Sequence, residues 1–163
     1  VLSSAYRDPV SQNLAFAAIQ LLWDSTDPVS HLRHITAEPF TGNKPHYVLL
    51  APARGDYQVA VVTNENTVRS ELGISLLEHY DTERKVPLVT EQKYPHRGSG
   101  VVLYSFGNPW PAPGNVPPKD SFGDPHSKPR KLDSHGRQMT TFFRTGEIID
   151  VCGGDGCTPS LTR

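Results

Sequence analysis

Hydrophobic positions recur along the chain at helical spacing, in alternation, or as short unbroken runs, and each pattern predicts an element. Residues 1–10 read as an arm closed by Pro9. After Ser11, a fitting N-cap, Leu14, Ala17, Ala18, Leu21 and Leu22 recur at helical spacing. Phe16, Ile19 and Trp23 widen this stripe, predicting a helix buried on more than one side and stopped by Asp24-Ser25-Thr26-Asp27-Pro28. The run His46 to Ala51 reads as a buried strand. Tyr57, Val59 and Val61 alternate with Gln58, Ala60 and Val62 and read as a second, making Ala53-Arg54-Gly55-Asp56 a hairpin turn. Arg54-Gly55-Asp56 matches an adhesion tripeptide, but the turn alone accounts for it. Val68, Leu72, Leu76 and Tyr80 step by four with Leu77 beside them. They predict a second helix capped by Asn64, Asn66 or Thr67 and ended by the polar stretch 81–85 before Pro87. Val101 to Tyr104 reads as a strand, and Gln138 to Phe143 with Glu147 to Val151 as a last hairpin around Arg144-Thr145-Gly146.

Residues 107–130 hold seven Pro and three Gly in 24 positions. Pro removes the backbone donor that a helix interior or central strand needs, so this segment is expected to be a long loop. The resulting order predicts an α+β fold in one domain over residues 1–163: two helices packed on a mainly antiparallel sheet, with the long Pro/Gly-rich loop. The 163 residues suffice to bury roughly two-thirds of the unfolded surface. Pro 15 and Gly 13 together stay well below the roughly 25–30% that marks a disordered chain.

Charge refines this picture. The net charge is −1 with neutral His, and seven His make the protein clearly cationic in mild acid. Residues 119–144 carry six Lys or Arg against three Asp or Glu, whereas residues 1–66 carry four against six. A basic segment on a near-neutral protein points to an anionic partner, with a solvated loop as the plainer reading. The longest apolar stretch, Leu14 to Trp23, is too short to span a membrane. The two Cys, Cys152 and Cys157, sit in Cys-Gly-Gly-Asp-Gly-Cys, where the glycines permit a small disulfide loop. Free thiols remain open, as does a metal set completed by His126 and His135, though that spacing matches no zinc-finger pattern. A disulfide places the protein outside the reducing cytosol, so the expectation is a secreted protein; a start at Val1 without Met fits removal of a signal peptide and equally a piece cut from a longer chain.

Serine-hydrolase elbows, Gly-rich phosphate loops and the HExxH motif are absent from the sequence. The most distinctive local motif is Tyr94-Pro95-His96-Arg97-Gly98-Ser99-Gly100. With the elements that follow it, this motif resembles the small secreted fungal ribonucleases, the guanine-specific enzymes and ribotoxins, over residues 66–157. The resemblance implies that His96 helps to activate a ribose 2′-OH, that Tyr94 positions the phosphate, and that Arg137 or Arg144 binds it. It departs from the family at Leu103-Tyr104-Ser105-Phe106, where the general-base Glu has no counterpart. It departs again near Asp150, which stands where the family has its general-acid His. Asp150 as base, His96 as acid and Arg137 or Arg144 as cation would restore a complete set. Lys128, Arg130 and Lys131, flanked by Trp110, Phe122, Phe142 and Phe143, supply candidate phosphate and stacking contacts.

A degraded catalytic set also resembles ribonuclease-like effectors that some fungal pathogens secrete to bind host RNA or host proteins. The expectation is therefore a secreted, ribonuclease-like protein that binds RNA or a host protein, without cofactor, metal or membrane association. The alternatives are an active, metal-independent endoribonuclease or toxin domain, and a protein-binding or structural module, for instance viral, with no nucleic-acid role.

Overall fold

The computed structural model describes residues 2–70, 73–78, 80–81, 84–111, 123–153 and 157. Two compact units form, residues 1–32 and 33–163. The first holds α1 (Leu2–Ala5), α2 (Pro9–Trp23) and the start of α3 (Pro28–Ile35), over which the division falls. Asp8, not Ser11, caps α2: its side chain accepts the Ser11 amide at 2.8 Å, and Pro9 occupies the first turn, where its missing N–H costs nothing. The expected burial of this helix is not found, since α2 buries none of its residues.

The second unit is built on β1 (Leu49–Leu50), α4 (Val61–Ser70), β2 (Ile74–Leu77), β3 (Glu91–Gln92), β4 (His96–Arg97), β5 (Ser99–Val101), α5 (Asp133–Thr145) and β6 (Glu147–Ile148). A 3₁₀ turn over Pro129–Lys131 leads into α5. The fold is α+β, but its main sheet corrects the antiparallel expectation. Strands run in the order β1-β5-β2-β3, and every pair is parallel, with Leu50 opposite Val101, Leu76 opposite Val101, and Leu77 opposite Gln92. Among the described residues, only β4 and β6 pair antiparallel, His96 opposite Ile148.

The reason lies in residues 57–62. They do not return as a strand; Val61 opens α4, and a helix carries the chain over the sheet to β2. Parallel neighbours require such a crossover, which a two-residue hairpin cannot supply. Of the four residues spaced by four, Val68 belongs to α4, Leu76 belongs to β2, Tyr80 lies beyond it, and Leu72 lies outside the described residues. A parallel sheet covered on both faces carries unbroken apolar strands, and β2 is buried at all four positions. Leu77, Val102 and Tyr104 face Phe142 of α5 and Ile148 of β6, whereas Leu76, Val101 and Leu103 face Val61 and Val68 of α4. Helices thus cover both faces.

Gln138 to Phe143 also differs from expectation, being helical. α5 buries His135, Gln138 and Phe142, spaced by three and four, and stops at Gly146, whose φ of 72° is left-handed. Two polar residues in this stripe hide it from a search for apolar periodicity. Gln138 is fully buried: its Oε1 accepts the Tyr104 hydroxyl at 3.2 Å and its Nε2 donates to the Ile149 carbonyl at 3.0 Å. This pair of bonds fixes α5 against the sheet. Gly100 permits the close approach of β5, because a Cβ there would lie 2.3 Å from Leu77 Cδ2 and 2.7 Å from Ile148 Cδ1. Of the expected long loop, residues 112–122 lie outside the described residues. Cys152 and Cys157 form a disulfide, which resolves the alternatives left by the sequence.

Candidate functional site

The chain leaves β1 at its carboxyl end through Ala51-Pro52-Ala53 and turns at Gly55. Parallel sheets place ligand sites beyond the carboxyl ends of their strands, and a cavity of about 290 Å³ opens at this place. Ala51, Pro52, Ala53, Asp56, Val59, Asn64, His126, Pro129, Arg130 and His135 line it.

Gly55 sets the turn. Its φ is 74°, and a Cβ would meet Asn108 Cβ at 2.8 Å and the Pro109 carbonyl oxygen at 2.9 Å. The turn delivers Asp56, which is 8% exposed. Asp56 Oδ1 accepts the Gln58 and Val59 amides at 2.7 and 2.9 Å, so the carboxylate cannot swing. Its Oδ2 faces His126 Nδ1 at 2.9 Å. That bond orients the imidazole and leaves Nε2 as the nitrogen available to a ligand. Asp124 braces the same loop: its Oδ1 accepts the His126 amide at 3.0 Å, and its Oδ2 accepts Gln58 Nε2 at 2.7 Å. The Gln58 hydrogen bond, aided by backbone amides, holds the Asp124 carboxyl below its ordinary range.

His135 enters the cavity wall from the first turn of α5. It is 7% exposed and stands edge-on to Tyr104, with ring centroids 5.3 Å apart. Its Nδ1 has no hydrogen-bond partner among the described residues. Burial pushes its pKa below the ordinary 6.5, so the ring is neutral at pH 7. The cavity therefore holds an oriented His–Asp pair, a second, neutral imidazole, and Arg130 at its wall.

Arg130 also lines a second, larger hollow of about 690 Å³, shared with Lys131, Leu132, Asp133, Gly136, Arg137, Thr140, Thr141 and Ile149. On α5 the buried stripe His135, Gln138 and Phe142 turns inward, so Arg137, Thr141 and Arg144, at helical spacing, share the opposite face. Three cations line this groove against one carboxylate, Asp133. Among the described residues no carboxylate lies within ion-pair distance of Arg130, Lys131, Arg137 or Arg144.

Of the residues singled out in the sequence, Arg130, Lys131 and Arg137 meet in this groove. Lys128 sits just before it, with Nζ 5.5 Å above the Phe106 ring. Phe143 is exposed beside Arg144, Phe142 is core, and Phe122 lies outside the described residues. His96 lies elsewhere, on β4, with its ring over Gly98. The β4–β6 register, continued outward, sets Asp150 opposite Tyr94 rather than His96. Asp150 Oδ1 accepts the Cys152 and Gly153 amides at 2.8 and 3.1 Å. Tyr94 is raised well above the ordinary phenol range by burial, then by the Asp150 charge. Trp110 is apart from both. Its Nε1 donates to Asp81 Oδ2 at 3.0 Å, and the Arg84 guanidinium lies 4.5 Å above its ring.

Sequence reasoning missed Asp56, read only as a turn residue. It weighed His126 and His135 only as partners for the Cys. A polar pair 70 residues apart leaves no local pattern; the one legible signal was a Gly-Asp turn immediately after an apolar strand. No family model, no curated protein and no solved structure matches this chain.

Proposed function

We propose that this protein binds RNA through the groove formed by the 3₁₀ turn and α5. The observation that carries the reading is the alignment of Arg130, Lys131 and Arg137 along one groove, without ion-pair partners among the described residues, with Arg144 continuing the same helix face. Cations with no carboxylate partner are free to neutralise phosphates, and Thr140 and Thr141 add hydroxyl donors to the same wall. Phe143, next to Arg144 on the same helix, is exposed and offers a stacking face. The disulfide Cys152–Cys157 is consistent with an extracellular protein, and the ribonuclease-like effector reading is compatible with that setting. The RNA reading stands on the groove and does not depend on Tyr94-Pro95-His96.

The test is a fluorescence-anisotropy titration of a labelled single-stranded RNA at several salt concentrations. Each phosphate contact contributes about −0.7 to the slope of log K against log salt. With Arg130, Lys131, Arg137 and Arg144 engaged, the expected slope is about −2 to −3. Arg137→Ala removes an exposed side chain, so the fold is kept and the slope falls in magnitude by about 0.7. Absent or salt-insensitive RNA binding refutes the reading and leaves a host protein as the partner to pursue.

A further inference from the structure

The cavity at the carboxyl end of β1 opens beside the proposed RNA groove, and Arg130 lines both. We propose that this cavity is an acid–base catalytic centre that cleaves RNA by transphosphorylation, with His135 as base, His126 as acid and Arg130 as the cation on the phosphate. The inference rests on the RNA-binding reading and goes beyond it, since binding alone needs neither imidazole.

The chemistry requires a proton acceptor, a proton donor and a fixed positive charge around one phosphate. The lone pair of the neutral His135 ring takes the proton from a ribose 2′-OH as O2′ forms its bond to phosphorus. The P–O5′ bond breaks, and its electron pair leaves on O5′. O5′ takes a proton from Nε2 of protonated His126. The products are a 2′,3′-cyclic phosphate end and a 5′-hydroxyl end. The two rings then exchange their protons with solvent, so the centre returns to its starting state without a co-reactant. Arg130 offsets the charge that builds on the non-bridging oxygens.

Asp56 is a positioning residue. It acts through His126, whose ring it orients at 2.9 Å from a carboxylate that two backbone amides hold in place. Asp124 positions the His126 backbone at 3.0 Å. The ionisable groups around the two rings are Asp56 and Asp124 against the His126 segment, Arg130 at the cavity wall, and Tyr104 against His135. Among the described residues two features have no other use: an imidazole nitrogen of His135 that is buried without a partner, and a His–Asp pair facing a cavity rather than the core.

The full, disulfide-intact chain is incubated with a 5′-labelled single-stranded RNA in EDTA. A second sample receives the same oligomer made of 2′-deoxynucleotides. The expected result is cleavage of the RNA to cyclic-phosphate ends and no cleavage of the deoxy oligomer. His126→Ala and His135→Gln should each lower the rate by about 10²–10⁴-fold, with RNA affinity kept. His126 is part-exposed, so its variant reports even where His135→Gln lowers stability. Asp56→Asn should lower kcat with little change in KM and shift the pH profile, which a merely structural role would not do.

RNA binding with no cleavage by the wild type overturns the catalytic inference and leaves the binding reading standing. No RNA binding overturns both. Cleavage that survives His126→Ala, that is lost in His96→Ala instead, or that depends on a metal ion also overturns the inference.

Discussion

Gly55→Ala separates two costs that structure alone entangles. The left-handed φ of 74° at Gly55 disfavours any side chain by about 1–2 kcal/mol. The added Cβ also meets Asn108 Cβ at 2.8 Å and the Pro109 carbonyl oxygen at 2.9 Å. Asn108 cannot yield easily. It is 1% exposed, its Nδ2 donates to the Gly123 carbonyl at 2.9 Å, and its own carbonyl accepts Arg54 Nε at 2.8 Å. Forced overpacking of this kind costs a further 1–3 kcal/mol. Gly42 supplies the control: its φ is 89°, but nothing lies within 4 Å of a Cβ there. Gly42→Ala should therefore lose only the conformational term, about 1–2 kcal/mol, and Gly55→Ala about 2–5 kcal/mol. Urea unfolding followed by far-UV circular dichroism reads the difference as a lower midpoint at constant m-value. Because Asp56 follows Gly55 directly, the variant should also disturb the Asp56–His126 pair. Equal destabilisation of the two variants would refute the packing of this turn against Asn108, and with it the geometry of the cavity.

Three further outcomes follow from other parts of the second unit. Glu65 is 6% exposed and takes a two-pronged contact from Arg84 at 2.6 Å, with the Tyr80 hydroxyl as a third donor at 3.3 Å. Glu65→Ala strands these donors and should cost about 2–3 kcal/mol, less than the roughly 3–5 kcal/mol of a fully buried pair because Arg84 is partly exposed; an unchanged urea midpoint would contradict this. For His135, a folded pKa below 6.5 means that the unfolded chain binds the proton first. Its contribution to stability is complete above about pH 6.5 and is lost as the pH falls toward the folded value, so His135→Gln should flatten the acid limb of a stability–pH curve. Reducing Cys152–Cys157, which closes a loop with a sequence separation of 5, should lower stability by roughly 2 kcal/mol on the loop-entropy scale, checked by urea titration with and without dithiothreitol.

Local chemistry was the legible part of this chain. The apolar runs 46–51 and 101–104 overlap two strands of the main sheet, at half-buried Leu49–Leu50 and at Val101, the last residue of β5, and Arg130, Lys131 and Arg137 line one groove. Strand direction was not legible. The alternation over Tyr57, Val59 and Val61 resembles a strand locally, but α4 begins at Val61, and that choice turns a hairpin into a crossover. Tertiary burial decides it, because β2 and β5 are buried at every position and so need cover on each face. α5 was hidden for a related reason: its buried stripe contains His135 and Gln138, whose burial is tolerated by bonds to distant residues or by an enclosing cavity. The Asp56–His126 pair joins a turn to a Pro-rich loop, and only the folded chain brings them within hydrogen-bonding distance.

Backbone amide chemical shifts, recorded while a short single-stranded RNA is titrated into the labelled protein, test the location of the partner most directly. The account requires the largest changes over residues 130–141, with smaller ones at 56 and 126 where the cavity adjoins the groove. Changes confined to 94–97 and 150, or to 65–69 and 84–87 beside Trp110, would contradict it.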